Sequence, residues 1–588
     1  MPFSRRGFIG RCSSLALLAG CGPSLERSYG SYEVCNPPDG RELVIDAHCH
    51  LLNQKDGSAR ELVANRVLNL DETHTAPGLD WMVGTLAQAL SSVLGVATQS
   101  ARSESNQIDY ELRKPLGDPH NLPARASGHD LCSFADRYQA GLIRAGRDRQ
   151  ITGFFSNRLR NAAQMMLLFP DVDLFLPSMV DFYEGRTRIN YRNQIAFYSN
   201  LALVTRGRFL PLASFSPERE YDDRHRQGRG PRDTDSKKSQ FWWLKHAITN
   251  LGFVGVKVHP SSGFSPIDNL AFGCSNRSRR YENKPDRELY DRFTAYDEYM
   301  EELLDFCKEA NVPILSHGNI GLTVANKGCM TGWRPSQADT PRKRPEGLIG
   351  DPAKGEWFYP FGTAHRVPSV AEDRLETAAL KGVNYRPPED YTASPKAWIA
   401  AMEAADARAP DLPASRVIFG HFSGSFVAER DAGGTLRAVP SAWLKSTAEL
   451  VRTNRNFYVD LSELSNFFSE KNGAAYAEAF KRFLAGNPQV TRQLVYGSDW
   501  HMPGTALVGK AYFGRLRSLL PKGEPRRQIM GERAADLFGL RPGTPNLERL
   551  ERFFARAPDI KNNPRANPGD PDRDPSLRPE DISWWAKI

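Results

Sequence analysis

Two histidines, His48 and His50, close a short apolar run, Leu43-Val44-Ile45-Asp46-Ala47-His48-Cys49-His50. Residues two apart in a strand share a face, so both imidazoles point the same way. Three more apolar runs end on residues of the same kind: Val312 to His317, Arg416 to His421 and Gln493 to Asp499. Imidazoles and a carboxylate gathered at one point suit a divalent transition metal such as zinc, with positions left open for water. A further run, Phe253 to His259, adds Lys257 and His259, again two apart and on one face. Each run alone says little, because a lone strand histidine is more often a hydrogen-bonded core residue. Five of the twelve histidines (48, 50, 259, 317 and 421) end such runs, and that conjunction points to a site.

For residues hundreds of positions apart to meet, the runs that carry them must converge. Eight short apolar runs recur along the chain, the others being Asp173 to Val180, Phe209 to Phe215 and Phe457 to Leu461. Between them lie stretches with apolar residues at spacings of three and four. These predict helices over Tyr191–Thr205, Gln240–Asn250, Glu288–Ala310, Ser394–Arg408, Ser441–Asn454 and Ala475–Leu484. Eight strands alternating with helices define an α/β fold, a distorted (β/α)8 TIM barrel, whose strand ends share one mouth. Such a barrel needs ~250 residues. Here the strands spread over nearly twice that, so long insertions are expected at 53–140, 216–238, 260–286 and 322–392. The expected division is an address at 1–20, a tether at 21–41 and the barrel at 42–545. A C-terminal extension at 546–588 follows, with a helix over Asn546–Ala555 and a Pro- and Asp-rich tail that reads as extended or weakly packed.

Composition removes other classes. The chain has 588 residues, and 40% hydrophobic with 10% aromatic content is enough for a large core, which excludes a disordered protein. A mean hydropathy of −0.50 and no apolar run of about 18 residues exclude a multi-spanning membrane protein. The net charge of +8 is diffuse and does not argue for nucleic acid. No Walker A or Gly-x-Gly-x-x-Gly pattern is present, so no nucleotide cofactor is expected. Gly420-His421-Phe422-Ser423-Gly424 lacks the Gly-x-Ser-x-Gly spacing of a nucleophile elbow. None of the eight cysteines forms a Cys-x-x-Cys pair, which argues against a structural zinc knuckle, and spacing assigns no disulfide.

The first residues read as an address. Ser4-Arg5-Arg6-Gly7-Phe8-Ile9 before a mildly apolar stretch resembles a bacterial Tat export signal. Leu18-Ala19-Gly20-Cys21 resembles the lipobox of bacterial lipoproteins, in which Cys21 would become the lipid-bearing N-terminus. Gly22, rather than Asp, follows it, which leans toward the outer membrane. The expected location is the periplasmic face of a bacterial membrane, with the membrane as a partner through Cys21. Tat transport moves folded proteins, which suits a chain loaded with metal before export.

The strand ends also carry a family resemblance. Val44-Ile45-Asp46-Ala47-His48-Cys49-His50 resembles the opening motif of the amidohydrolase superfamily. Gly252 to Pro260 is similar to the fourth strand of its amidohydrolase-related branch, which includes aminocarboxymuconate-semialdehyde decarboxylase and many TIM-barrel hydrolases. Pro313-Ile314-Leu315-Ser316-His317, Val417-Ile418-Phe419-Gly420-His421 and Tyr496-Gly497-Ser498-Asp499-Trp500 resemble the fifth, sixth and eighth strand ends. Gln528 to Gly539 resembles the closing helix, except that Arg533-Ala534 stands where the family usually has Asn-Ala.

The resemblance implies that His48, His50, His317 and Asp499 bind a catalytic divalent metal, zinc first. His421 would be a second-metal ligand or a general acid/base beside a single metal, and the single metal is favoured. Lys257 is the argument for two, since some relatives bridge two metals with a carboxylated lysine; otherwise it makes a salt bridge or meets a substrate anion. His259, Ser316, Trp500 and His501 neighbour the site in sequence. The implied chemistry is attack of metal-activated water on the amide, ester or lactone carbonyl of a small-molecule substrate, with Asp499 moving the proton. The alternatives are a metal-dependent non-oxidative decarboxylase and a non-catalytic metal-binding lipoprotein platform.

Overall fold

The computed structural model describes residues 41–53, 55–56, 99–112, 156–181, 190–225, 239–269, 286–318, 394–422, 426–430, 436–462, 467, 473–500, 509–555 and 584–588. The address at 1–20, Cys21, Ser423, His501 and most of the expected insertions lie outside them. Among the described residues no helix is long and apolar enough to cross a membrane.

Every apolar run read from the sequence contributes a strand. In chain order these are β1 (Ile45–Cys49), β2 (Leu174–Pro177), β3 (Leu212–Phe215), β4 (Gly255–Val258), β5 (Ile314–Ser316) and β6 (Val417–Phe419). After a hairpin, β7 (Phe426–Arg430) with β8 (Leu436–Pro440), come β9 (Phe457–Asp460) and β10 (Leu494–Val495). Strands β10, β9, β6, β5, β4 and β3 form one parallel sheet in that order, and β1 pairs with β2 in parallel. Parallel bridges Phe175↔Phe209 and Ser178↔Leu212 join β2 to the β3 segment. Three backbone hydrogen bonds complete the ring: Ala47 N to Tyr496 O (3.0 Å), Asp499 N to His48 O (2.7 Å) and His50 N to Trp500 O (2.6 Å). The barrel thus closes through the short stretch after β10, which brings Asp499 beside β1.

Helices cover the outside. Their starts are set by side chains that satisfy otherwise unpaired N–H groups. Asn190 accepts from Asn193 N, Ser239 from Trp242 N and Ser441 from Leu444 N, which opens helices Tyr191–Val204, Gln240–Asn250 and Ala442–Thr453. Helix Pro395–Arg408 opens on a proline, which loses no bond in the first turn. The long helix Asp286–Glu309 buries Tyr296, Tyr299, Met300 and Leu303, at the spacing of one helical face. The hairpin between β6 and β9 was not foreshadowed by the apolar pattern. Its Phe426 packs on Phe467, Phe480 and Phe483.

The floor of the barrel is made by the closing segment. Val254, Leu315, Ile418 and Val495 from the strands pack with Ala534, Ala535 and Phe538. Tyr496 N donates to Ile529 O at 2.9 Å, inside a π-helical turn, Gln528–Glu532. Gly531 is required there, since a Cβ would stand 2.2 Å from Leu43 O. Arg533, where the resemblance leads one to expect Asn, donates to Thr491 O (3.1 Å) and Leu494 O (2.6 Å) and so ties this segment to β10. The Pro- and Asp-rich tail lies outside the described residues until Trp584. Trp584 is fully buried and its Nε1 donates to Gly207 O, while Lys587 pairs with Asp173 just before β2.

Candidate metal centre

The carboxyl ends of β1, β4, β5, β6, β9 and the stretch after β10 carry every ionisable residue of the site. His48 is inside β1 and His50 follows it; Lys257 is in β4; His317 follows β5; His421 lies two residues past β6; Asp460 ends β9. His421 (φ 61°) and Asp499 (φ 52°) sit in the left-handed region, two of the five described non-glycine residues that do. That conformation costs energy for side-chain-bearing residues and is found where geometry serves a site. The turn it makes needs Gly497, whose Cβ would stand 2.7 Å from His48 Cβ.

His48, His50 and Asp499 form the core. One ligand atom from each lies within 4.8 Å of the others, and among the described residues no other group of three His, Cys, Asp or Glu does this. Asp499 Oδ1 is 3.2 Å from His50 Nε2 and 3.8 Å from His48 Nε2. Ligands about 2.0–2.2 Å from a tetrahedral cation stand apart by similar distances. Each imidazole is held from behind. His48 Nδ1 donates to Asp460 Oδ2 (2.7 Å), and His50 Nδ1 faces Ser178 O (3.3 Å). Such partners fix the tautomer and leave Nε2 as the electron-pair donor.

His317 and His421 form a second pair beside this trio. His421 Nε2 is 2.9 Å from His317 Nδ1, and His421 Nδ1 is 3.0 Å from Ser462 Oγ and 4.0 Å from Asp499 Oδ2. The His317 Nε2 atom is buried with no hydrogen-bond partner. A buried ring nitrogen left bare in this way fits a cation ligand. His317 itself lies outside the trio of closest approach. His259 stacks on His317 at 4.0 Å between ring centroids. Lys257 Nζ donates to His48 Nε2 at 2.9 Å. Ser316 Oγ donates to His317 O, and Trp500 packs edge-on against Phe169, so neither adds a ligand.

Burial sets the protonation of these groups. It holds His48 well below the ordinary imidazole range, helped by the Lys257 ammonium. His50 is pushed down to about 3 by burial and then by Lys257. His317 falls through burial and its neighbours His259 and His421, and His421 through burial and His48. All four are neutral at pH 7, the form that binds metal. Burial lowers Lys257 to about 8 against the pull of Asp460 and Asp499. The Cys49 thiol, between His48 and His50 in sequence but on the other face, is pushed up by burial and is no nucleophile.

Two functional carboxylates escaped the sequence reading. Asp460 ends the seventh apolar run, and its strand-end position was the available signal. Asp46 lies two residues before His48 on the same face. Its Oδ1 accepts from Ser498 N (2.9 Å) and His48 N (3.3 Å), which ties the start of the barrel to the Asp499 turn. Burial raises its carboxyl to about 7 against the Ser498 hydrogen bonds.

With this geometry in view, the comparisons with known proteins give the class. The amidohydrolase family model matches residues 45–540. The chain belongs to the amidohydrolase family. No curated protein matches it. Solved structures similar to it include 5-carboxyvanillate decarboxylase from Sphingomonas paucimobilis, at 11% identity and TM-score 0.31, covering 63% of this chain and 79% of that one. Another is a putative 2-pyrone-4,6-dicarboxylic acid hydrolase from Pseudomonas putida, at 10% identity and TM-score 0.28, covering 63% and 82%. A third is 5-carboxyvanillate decarboxylase from Novosphingobium aromaticivorans, complexed with manganese and a nitrobenzoic acid, at 11% identity and TM-score 0.28, covering 65% and 79%.

Proposed function

We propose that the chain is a metal-dependent hydrolase of small molecules with an amide, ester or lactone carbonyl. The observation that carries this reading is the division of Asp499: Oδ1 faces the His48 and His50 nitrogens, and Oδ2 faces His421. His48, His50, His317 and Asp499 would hold the cation, zinc first. When bound, a divalent cation supplies Lewis acidity, polarising a carbonyl and acidifying water. Asp499 accepts the proton of the attacking water on Oδ2 and returns it to the leaving group. His421 stands on the same side, 4.0 Å from Asp499 Oδ2, and its two ring nitrogens face Ser462 and His317. The barrel wall excludes bulk water, and each group arrives already oriented.

A second reading, non-oxidative decarboxylation, is favoured by Lys257. A buried ammonium beside His48 is a partner for a substrate carboxylate. Turnover in 18O-labelled water separates the two. Hydrolysis puts label into the product acid, decarboxylation releases carbon dioxide, and neither from a metal-loaded protein indicates a binding platform. We also propose the exported, lipid-anchored location at Cys21, which rests on the Arg5-Arg6 and Leu18-to-Cys21 motifs.

The single-metal reading makes its own prediction. Purified protein should hold one divalent ion per chain, and Lys257→Met should still hold one. Two ions falling to one in that variant, by elemental analysis, would assign Lys257 as a bridging ligand.

A further inference from the structure

We infer that Asp460 and Ser462 are positioning residues that fix, through one directed hydrogen-bond chain, which ring nitrogen of His48, His421 and His317 carries the proton. This rests on the reading of His48 and His317 as cation ligands.

The direction follows from the donors available. Asp460 Oδ1 accepts from His421 N (3.0 Å), Ser462 N (3.0 Å) and Ser462 Oγ (2.5 Å), and Oδ2 faces His48 Nδ1 (2.7 Å). A carboxylate only accepts, so His48 carries its proton on Nδ1 and its electron pair on Nε2. Lys257 confirms this from the other side. An ammonium only donates, and it meets His48 Nε2 at 2.9 Å. The Ser462 hydroxyl has one proton and gives it to Asp460. Its oxygen therefore accepts from His421 Nδ1, 3.0 Å away. With one proton per ring, His421 Nε2 is then bare and accepts from His317 Nδ1 at 2.9 Å. That leaves the electron pair of His317 on Nε2, the buried atom with no partner. One carboxylate on β9 thus turns the bare nitrogens of β1 and β5, far apart in sequence, into matched donors for a cation. Hydrogen-bond partners of this kind orient a metal site as much as the ligands do.

Asp460→Asn is the sharp test. Its oxygen must face the three donors on the Oδ1 side, so its amide N–H points at His48 Nδ1; with Lys257→Met also in place no ammonium opposes a proton on Nε2, and the His48 proton moves there. In metal-free full-length protein labelled with 15N-histidine, wild type should show Nδ1-protonated His48, His421 and His317. Asp460→Asn in the Lys257→Met background should move the His48 proton to Nε2 and, relative to Lys257→Met alone, weaken Co2+ binding, followed by its visible absorption, about 10–100-fold. Ser462→Ala keeps the His48–Asp460 pair, so it should leave the His48 signal in place and unsettle only His421 and His317. A His48 tautomer and Co2+ affinity in Asp460→Asn with Lys257→Met that match those of Lys257→Met alone would overturn the inference. If that variant does not fold, unchanged His421 and His317 signals in Ser462→Ala overturn it equally. Wild type that shows the drawn tautomers yet binds no Co2+ would uphold the chain of hydrogen bonds and sink the metal-dependent reading instead.

Discussion

Asp499→Asn is expected to lower kcat by about 10²–10⁴-fold on any ester or lactone the wild type turns over, the range of a lost general base. The substitution is unusually clean. Asp499 has φ 52°, and asparagine is among the few residues that accept this region readily, so the turn after β10 should survive. What changes is the chemistry of one group. The amide cannot take a proton, and it removes the negative charge that faces His48, His50 and His421. Cation affinity should fall together with kcat, while the urea midpoint of the metal-free protein stays close to wild type. Wild-type kcat in this variant would remove Asp499 from the mechanism.

The second large effect is on stability against acid. Four imidazoles, His48, His50, His317 and His421, are held neutral by burial, His50 down to about 3. In the unfolded chain each titrates near pH 6.5. As pH falls from about 6 to about 4, the unfolded state takes up four protons that the folded state refuses, so stability is lost with falling pH. Each contributes about 1.4 kcal/mol per pH unit. Buried carboxyls act the other way, among them Glu104 and Glu302, both raised by burial. Asp46 and Asp297, raised by burial to about 7 and about 6, gain protons in the folded state first. The net expectation for the metal-free protein is a loss of stability with falling pH below about 6, smaller than the four imidazoles alone would give. A bound cation steepens the loss, because protons compete for its ligands. Urea unfolding at pH 7, 6 and 5 measures the slope, and a flat profile would show that the imidazoles are not buried neutral.

The barrel was legible because its signals are local and periodic. His48 and His50 share a face by the two-residue repeat of a strand, and the helix over Gln240–Asn250 shows both its apolar spacing and its Ser239 cap. Helices Asp286–Glu309 and Ala442–Thr453 differ from expectation by one or two residues at their ends, where fraying and caps decide. Other features depend on contacts that no local pattern carries. Helix Ala101–Leu112 falls in the stretch 53–140 read as insertion, helix Arg158–Leu168 in a stretch assigned no element, and Arg158 is buried between Asp56 and Glu104. The hairpin Phe426–Arg430 with Leu436–Pro440 has a charged first arm that does not alternate as a half-buried strand should.

The site shows the same division. Residue types at strand ends pointed to a cation site, and all seven candidates stand in one connected set of contacts that includes His48, with His317 reached through His421 and His259 through His317. The order among them was not legible. Asp460 looks like the polar end of one more strand, and only the fold shows that its two oxygens reach His48 and the His421 backbone. His317 read as an equal of His48 and His50. In space its Nδ1 is committed to His421, and only its Nε2 remains for a cation. Such distinctions depend on ångström-scale orientation, which spacing in sequence does not encode.

Anomalous diffraction at the metal's absorption edge tests the central claim most directly. The account predicts one peak per chain, about 2.0–2.2 Å from His48 Nε2, His50 Nε2 and an Asp499 oxygen, with His317 Nε2 turned toward it. A metal-loaded, active crystal with its peak elsewhere, or bound by none of these side chains, would contradict it.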